Sequence, residues 1–359
     1  MKNISLVVLA ASAVSILSAQ APPAPPFRLG TFERQGTPFV GVVLGDSRVI
    51  DLGAARAAVT PASPVAAPTD MKDLIARYDQ GVRTWIGDLV ARVNTAGASR
   101  PPWVHDLSSL KILPPIMYPQ TMLNMAVNYR EHAAEMGGAD TSPGGPGAAL
   151  PGTKSAPGIW ERQAGDTRWN PYLFTKLPSA VIAAGESIRL PVGRTQIDWE
   201  CELGVVIGAR ASRVDAARAG DVIFGYTIEN DVSDRGGRGD TRHGSDWLIA
   251  KSHDTFAPMG PFIVPKEFIA DPQKLKVTFL LNGQVMQSAN TSLMIHPVVE
   301  QVSYASHILT LRPGDVIATG SPAGVGSART PPIFFKAGDV AECTYESVGT
   351  LRNPVAGPS

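Results

Sequence analysis

The sequence Asp198-Trp-Glu-Cys-Glu-Leu-Gly-Val-Val206 predicts a β-strand over 198–207. Alternate side chains of a strand share a face, so Glu200 and Glu202 point one way and Cys201 points the other. Two carboxylates within about 7 Å on a largely apolar strand repel each other and resist burial. A divalent cation with oxygen ligands would remove that cost, whereas a solvated edge strand would avoid it. The pair alone leaves both interpretations open.

A third carboxylate favours the cation. Tyr226-Thr-Ile-Glu-Asn-Asp231 continues a strand predicted from Val222 to Ile228, and Asp231 stands at the end of that run. The end of a strand is a place where a side chain can emerge into a pocket. Glu200, Glu202 and Asp231 would together form a three-carboxylate site with positions left for water and substrate.

A histidine and a lysine supply candidate acid–base and cationic groups. His132 and Glu135 are three residues apart and would share one helical face. A carboxylate bound to one imidazole nitrogen makes the other nitrogen a better base. Lys251 follows an apolar run and could read a substrate carboxylate. The simpler alternatives are an exposed His–Glu pair and a surface lysine.

The pattern along the rest of the chain predicts two domains. Residues 27–52 alternate and turn at Gly45-Asp46 as strands of a hairpin do, and residues 70–95 carry apolar side chains at helical spacing. We therefore expect a small α+β domain over 27–115.

From 117 onward, strands dominate the pattern. Lys276–Leu281 and Gln284–Gln287 flank Asn282-Gly283, which is a type I′ hairpin signal. A helix is predicted over Val298–Leu309, and late strands over 316–319 and 340–345.

The segment 137–172 differs from the rest, because its first part, 137–158, is rich in Gly and Pro and cannot build a packed element. It follows His132 and Glu135 directly. We interpret it as a lid insertion, with Trp160 or Trp169 over the pocket.

The first 21 residues predict a secretory signal peptide: Lys2 precedes an uncharged apolar run over 4–17, and small residues follow. The alternative is an uncleaved membrane anchor, although the run is short for a span of about 20 residues. We expect an exported protein, in a bacterial periplasm or secreted, with no membrane contact after signal removal. Cys201 and Cys343 both fall in apparent strands, so we expect two buried thiols rather than a bridge.

Composition excludes several protein classes. The 359 residues carry 32 basic and 32 acidic side chains, and this zero net charge argues against a nucleic-acid partner. Two cysteines exclude a disulfide scaffold and a cysteine-rich metal site. The 35 glycines and 31 prolines indicate many turns and few long helices.

In this order, the motifs resemble the fumarylacetoacetate hydrolase family over about 117–356. The stretches that carry the resemblance are 128–132 (Asn-Tyr-Arg-Glu-His), 176–179 (Lys-Leu-Pro-Ser), 198–203, 224–233, 251–261, 311–326 and 349–355. The resemblance implies an α+β, β-rich fold: a mixed β-sandwich or roll catalytic domain, usually a homodimer, with the small N-terminal domain that many members carry.

The resemblance also implies roles for individual residues. It makes Glu200, Glu202 and Asp231 ligands of Mg²⁺ or, in some members, of Mn²⁺ or Ca²⁺. It makes His132 and Glu135 a dyad that activates water, and Lys251 a group that stabilises negative charge on substrate oxygen. The further positions taken as substrate-binding are Tyr129, Arg235, Gly320 and Ser321.

The leading prediction is hydrolysis of a C–C bond in an acylpyruvate or other 1,3-diketo acid through a metal-stabilised enolate. The alternatives are a decarboxylase, isomerase, hydratase or lyase acting on a 2-oxo acid at the same site, and a non-catalytic exported carboxylate-binding protein. One departure bears on the substrate. Family members often read Asn-Asp-Val-Ser-Ala-Arg-Asp with Gln close behind, whereas Asp234, Gly236 and Arg238 stand in the corresponding stretch here.

Overall fold

A computed structural model describes residues 26–61, 64–95, 100–136, 154–240 and 242–358. The predicted signal peptide and the 137–153 part of the predicted lid lie outside these residues. Within the described ranges, no helix is both long enough and apolar enough to cross a bilayer.

The N-terminal region forms a small antiparallel sheet with helices packed on it, as the alternation over 27–52 predicts. Its strands are β1 (Arg28–Arg34), β2 (Thr37–Leu44), β3 (Arg48–Asp51), β4 (Val104–Asp106) and β5 (Lys111–Leu113).

The helices of this region are α1 (Leu52–Ala58), α2 (Met71–Arg77) and α3 (Arg83–Thr95). A π-turn over Tyr78–Val82 separates α2 from α3, because Gly81 adopts a φ of 102°. The apolar side chains that gave the helical spacing, Leu74 and Ile86 among them, are buried.

The rest of the chain is β-rich. Its strands are β6 (Met122–Met125), β7 (Leu173–Thr175), β8 (Val181–Ile182), β9 (Ile188–Arg189), β10 (Ile197–Asp198), β11 (Cys201–Ile207), β12 (Ile223–Asn230), β13 (Ser233–Asp234), β14 (Ala257–Pro265), β15 (Lys276–Leu281), β16 (Gln284–Asn290), β17 (Val316–Ala318), β18 (Val340–Tyr345) and β19 (Gly349–Ala356). Its helices are α4 (Arg130–Met136), α5 (Ala216–Ala219), α6 (Trp247–Lys251) and α7 (Val298–Ile308).

The described strands form two main sheets. The larger sheet has the order β4-β3-β2-β1-β14-β12-β11-β17-β6-β7, with β5 added to β1 and β8 added to β14. The second has the order β16-β15-β18-β19-β9. Strand β1 pairs with β14, where Leu29 lies opposite Ile263, so the N-terminal strands extend the central sheet rather than forming a separate one.

The predicted hairpin and the predicted strand over 198–207 had different outcomes. Asn282 and Gly283 have φ values of 53° and 80°, which confirms the I′ type of turn between β15 and β16. The prediction of a single strand over 198–207 is wrong, because Trp199 and Glu200 interrupt it between β10 and β11. Strand β10 leaves the large sheet and pairs with β13 instead.

The cysteine prediction is also wrong. Cys201 on β11 and Cys343 on β18 form a disulfide, with their Cα atoms 5.5 Å apart. The two strands belong to different sheets, and the side chains meet in the core between them. Side chains alternate between the two faces of β11. Glu202 therefore points to one side, and the sulfur of Cys201 points to the other, toward the second sheet.

Candidate metal centre and cavity

Three buried carboxylates converge at one end of the large sheet. Glu202 lies on β11, opposite Glu229 of β12, while Glu200 precedes β11 and Asp231 follows β12. The Asp231 amide donates to the Glu200 carbonyl at 2.8 Å, which holds the two strand ends together. One carboxylate oxygen each of Glu200, Glu202 and Asp231 lies within 4.8 Å of the others. The structure thus brings together the three carboxylates that the sequence singled out.

Two buried lysines lie among these carboxylates. The Lys251 ammonium, at the end of α6, donates to Glu200 Oε2 at 2.6 Å and to Asp231 Oδ2 at 2.7 Å. It also donates to Ser233 Oγ at 2.8 Å. Lys176 donates to the other oxygen of Asp231 and to the Val232 carbonyl. Both oxygens of Asp231 therefore face an ammonium group.

An arginine holds the cavity side of Glu200. Arg235 Nη2 donates to Glu200 Oε1, and its Nε donates to Asp198 Oδ1, both at 2.7 Å. The second oxygen of Asp198 accepts from the Ser327 amide at 2.8 Å. Arg235 lines the cavity as a predicted substrate-binding residue should, but two carboxylates already share its guanidinium. Its geometry fits the orientation of Glu200 better than direct capture of a ligand.

The charges divide unequally between the two glutamates. Burial alone would raise the pKa of Glu200, but Lys251 and Arg235 hold it well below its ordinary value. Burial raises the pKa of Glu202 well above its ordinary value, and repulsion by Asp231 and Glu229 adds to the rise. Glu202 is thus the carboxylate whose charge the surrounding protein compensates least.

The bonding of Glu202 tests whether a cation fits here. Its Oε2 accepts from the Gly320 amide at 2.7 Å. Its Oε1 is buried and has no hydrogen-bond partner among the described residues. A buried, uncompensated carboxylate oxygen beside two further carboxylates is the donor set that a hard divalent cation prefers. The residues present therefore fit a divalent metal.

The predicted dyad is formed within the short helix α4. His132 Nδ1 and Glu135 Oε1 are 2.7 Å apart, and the carboxylate also accepts from the Gly324 amide at 2.9–3.0 Å. The second imidazole nitrogen, Nε2, lies 3.7 Å from Glu200 Oε1. Because Glu135 holds Nδ1, Nε2 is the nitrogen left for proton transfer beside the carboxylate cluster.

A cavity of about 580 Å³ opens in front of these groups. Glu200, His132 and Lys251 form its polar wall, and Phe174 and Trp247 form an apolar wall. The two aromatic rings lie 4.7 Å apart, and the Lys251 ammonium lies 5.1 Å from the Phe174 ring. A concave site of this size, with a few convergent polar groups, suits a small organic ligand.

Three predicted substrate-binding residues lie behind the cavity instead of lining it. Tyr129 is fully buried in the core, because its segment pairs with Met294. The Gly320 amide is already donated to Glu202, and Ser321 Oγ accepts from the Gln287 side chain at 2.8 Å. Of these contacts, the Gly320–Glu202 hydrogen bond is the one that reaches the carboxylate cluster.

The tryptophans of the predicted lid also lie elsewhere. The Trp160 ring packs 5.5 Å from the ring of His296, whose Nε2 is 2.9 Å from the Trp169 carbonyl oxygen. Neither tryptophan is among the described residues that line the cavity. They belong to the packing of the 154–172 segment against α7, because Trp160 also contacts Tyr304.

Lys176 and Glu229 are two buried members of the site for which the sequence pattern predicts no role. Lys176 stands in a motif that carries the family resemblance, and in the structure it is 1% exposed and bonded to Asp231. Glu229 is fully buried, and its Oε2 accepts from the Asn124 side chain at 2.7 Å. The available signal for Glu229 was its place two residues before Asp231 on one strand face.

A model of the fumarylacetoacetate hydrolase C-terminal domain matches residues 121–356, about two thirds of the chain. The chain belongs to the fumarylacetoacetate hydrolase family. This confirms the resemblance that the motifs carried, and with it the mixed α+β, β-rich fold.

Relatives and solved structures extend the comparison. A mitochondrial oxaloacetate tautomerase of Bos taurus is 35% identical over 288 residues, covering 80% of this chain and 81% of the relative. An oxaloacetate tautomerase of Bacillus subtilis is 33% identical, covering 91% and 99%. The structure of a maleylpyruvate hydrolase from Sphingobium, in complex with manganese(II) and pyruvate, has 26% identity and a TM-score of 0.66, covering 92% and 100%. The family's enzymes thus include tautomerases as well as hydrolases.

Proposed function

We propose that this protein is a divalent-metal-dependent enzyme that interconverts the keto and enol forms of a 2-oxo acid, with oxaloacetate as the first substrate to test. One observation carries the proposal. His132 Nε2, oriented through Nδ1 by Glu135, lies 3.7 Å from Glu200 at the wall of the cavity. His132 and the candidate cation site could therefore contact the same small ligand in the cavity. The names of the relatives support the choice of oxaloacetate.

Glu200, Glu202 and Asp231 would hold the cation, which we expect to be Mg²⁺, with Mn²⁺ or Ca²⁺ as substitutes. When bound, a divalent cation supplies Lewis-acid polarisation of the 2-oxo group, which makes the neighbouring C–H bond more acidic.

The protein's own residues move the proton. His132 Nε2 takes a proton from the carbon next to the 2-oxo group and returns it to the enolate oxygen, and the reverse reaction uses the same atom. Glu135 stabilises the imidazolium that forms between these steps, because it is bonded to Nδ1 at 2.7 Å. Burial would lower the pKa of Lys251, but Asp231 and Glu200 raise it, so a positive charge stays at the cavity wall beside the developing oxyanion.

A second candidate is hydrolysis of a C–C bond in an acylpyruvate or another 1,3-diketo acid. The His132–Glu135 pair, in which His132 is buried, favours it, since the same nitrogen could take a proton from water instead of carbon. The similarity to a maleylpyruvate hydrolase supports the same reading. Here the hydroxide would add to the distal carbonyl, and the C–C bond would break with the enolate of a 2-oxo acid as leaving group.

The two candidates are separated by their substrates. Purified protein loaded with Mg²⁺ is mixed with freshly dissolved oxaloacetate, and the decay of the enol absorbance is followed. Acetylpyruvate is followed in parallel through loss of its diketone absorbance. We expect fast oxaloacetate tautomerisation, and His132→Asn should lower kcat by about 10²- to 10⁴-fold while Mn²⁺ binding is retained. Turnover of acetylpyruvate alone would establish the hydrolase, and turnover of neither would overturn both.

Location and assembly belong to the same proposal. We propose export to a periplasm or to the medium, and the Cys201–Cys343 disulfide supports it because such bonds persist in oxidising compartments. We propose a homodimer on the family resemblance. Cell fractionation with N-terminal sequencing tests the first, and sedimentation of the purified protein tests the second.

A further inference from the structure

We propose that Arg238 binds a second carboxylate of the substrate, which makes the cavity selective for dicarboxylic 2-oxo acids over monocarboxylic ones. This inference rests on the proposed function, since it assumes that the 2-oxo end of the ligand lies at the carboxylate cluster. It concerns a part of the cavity that takes no part in holding the cation.

The guanidinium of Arg238 is available to a ligand. Arg238 lines the same cavity as His132 and Lys251, and its side chain is 25% exposed. The nearest acidic oxygen is Asp240 Oδ2 at 3.9 Å, which is too far for a hydrogen bond. Its side chain donates no hydrogen bond to any residue that the structure describes. Arg235 contrasts with it, because Asp198 and Glu200 already bind that guanidinium.

Asp240 does not need Arg238 as its counter-ion. Its carboxylate is bound by Arg242, with Nη2 2.7 Å from Oδ2. Arg242 is 82% exposed and is not among the residues that line the cavity. Arg238 therefore has no hydrogen-bonded counter-ion among the described residues, and an incoming anion can use its guanidinium, in a cavity that Asp240 and Asp246 also line.

Hydrogen bonds with Asp234 and Arg194 hold the backbone of the loop that carries Arg238. Asp234 Oδ1 accepts from the Gly236 amide at 2.8 Å. Arg194 binds the other oxygen of Asp234 and also donates to the Gly237 carbonyl at 2.6 Å. A Cβ atom on Gly236 would lie 3.0 Å from the Arg194 guanidinium, so this close approach favours glycine. Asp234 and Arg194 thus hold the backbone from which Arg238 extends.

The guanidinium of Arg238 favours a carboxylate as its ligand. A planar guanidinium can donate two parallel hydrogen bonds to a carboxylate, and such charge-assisted bonds are stronger than neutral ones. A dicarboxylate would have one end at the carboxylate cluster and the other at Arg238. A monocarboxylate with an apolar tail would leave Arg238 without a partner, although Phe174 and Trp247 could still pack on its tail.

The test compares two enol-forming substrates in Arg238→Gln. Oxaloacetate has a second carboxylate, whereas phenylpyruvate has an aromatic ring in its place. We expect the KM for oxaloacetate to rise by about 10- to 100-fold, the loss of a charge-assisted hydrogen bond pair, while the KM for phenylpyruvate stays close to that of the wild type. The KM of Arg238→Lys for oxaloacetate should fall between those of the wild type and Arg238→Gln. Arg352→Gln, a charge-matched change on β19 where the side chain is 60% exposed, should alter neither.

A binding arm keeps the inference separate from the proposed function. Calorimetry of Mn²⁺-loaded protein with malate and lactate compares ligands that differ in the second carboxylate, and it needs no turnover. We expect tighter binding of malate to the wild type and loss of that preference in Arg238→Gln. Equal changes for both ligands, or unchanged preference in the variant, would overturn the role of Arg238. Absence of turnover with an intact malate preference would overturn the proposed reaction but not this inference.

Discussion

At the scale of single residues, Glu229 is the carboxyl group that the proposed chemistry does not use. It is fully buried on β12, and its Oε1 has no hydrogen-bond partner among the described residues. Burial and the nearby charge of Asp231 raise the pKa of Glu229 to about 8. At neutral pH the folded protein therefore keeps a proton that the unfolded chain has released.

This proton has a consequence for stability. A carboxyl group whose pKa is raised on folding makes the folded state bind more protons than the unfolded state, so the free energy of unfolding falls as the pH rises. Glu229 stabilises the folded state in full below its unfolded pKa of about 4.3, and this stabilisation is lost as the pH rises to its folded pKa of about 8. In metal-stripped protein, we expect Glu229→Gln to reduce the loss of stability over this range by an amount on the order of a few kcal/mol. Urea unfolding at a series of pH values measures it.

Glu33→Gln on β1 provides the control, since Glu33 is partly exposed and lies outside the carboxylate cluster. Identical pH slopes in wild type and Glu229→Gln would show that Glu229 does not hold the proton.

The candidate site was predictable at this scale only where local geometry decides it. The two-residue period of a strand predicts Glu200 and Glu202 on one side, and their carboxylates do converge although β11 begins only at Cys201. Lys176 lies 55 positions from Asp231, and only the pairing of distant strands brings its ammonium to that carboxylate. The amide of Gly320 shows the same limit, because its donation to Glu202 spans 118 positions.

At the scale of elements, the turn after β17 holds both halves of the site. The Gly320 amide donates to Glu202, and the Gly324 amide donates to Glu135. Gly320 has a φ of 93°, and a Cβ atom there would lie 2.6 Å from Asn128 Cβ. Any residue with a side chain at position 320 would therefore strain the backbone of this turn.

We expect Gly320→Ala to weaken Mn²⁺ binding as well as stability, because the displaced amide would no longer orient Glu202. The positive φ alone costs about 1–3 kcal/mol. Gly36→Ala is the matched control: its φ is 78°, and a Cβ atom would meet nothing within 4 Å. Calorimetric titration with Mn²⁺ should show weaker binding in Gly320→Ala only. Equal Mn²⁺ affinity in both variants would mean that the turn is structural but does not position the ligand.

The sequence predicted elements best where one short signal is sufficient. Asn282-Gly283 defines its turn by itself, and the structure has that turn. The strand over 198–207 failed because tertiary contacts interrupt it. The Trp199 ring stacks 5.2 Å from Phe279, and its indole donates to the Gly324 carbonyl. Residues that bind partners so far along the chain override a continuous local pattern.

At the scale of the whole molecule, the N-terminal region and the large sheet share a core. Side chains of α2 and α3 pack in one cluster with Val206 of β11, Phe224 of β12 and Ile263 of β14. Periodicity predicted the helices and strands of 27–115, but it could not show that β1 pairs with β14. That pairing joins residues more than 200 positions apart. The division into two domains remains a prediction.

The disulfide is the covalent link between the two main sheets. It closes a separation of 142 residues, and loops of this length lose much conformational freedom in the unfolded chain. We expect the Cys201→Ser, Cys343→Ser double variant to lose about 2–4 kcal/mol of unfolding free energy. Urea unfolding with and without dithiothreitol measures the loss. Dithiothreitol should destabilise the wild type and leave the double variant unchanged, and an unaffected wild type would contradict the bridge.

In the proposed function, Glu200, Glu202 and Asp231 hold one divalent cation on which the chemistry depends. The most direct measurement titrates Mn²⁺ into metal-stripped protein, reading bound Mn²⁺ by electron paramagnetic resonance and oxaloacetate tautomerisation in the same samples. We expect activity that rises in proportion to bound Mn²⁺ up to one ion per chain, with both bound Mn²⁺ and activity lost in Glu202→Gln and kept in Arg352→Gln. Full activity without the cation, or unchanged Mn²⁺ binding in Glu202→Gln, would contradict it.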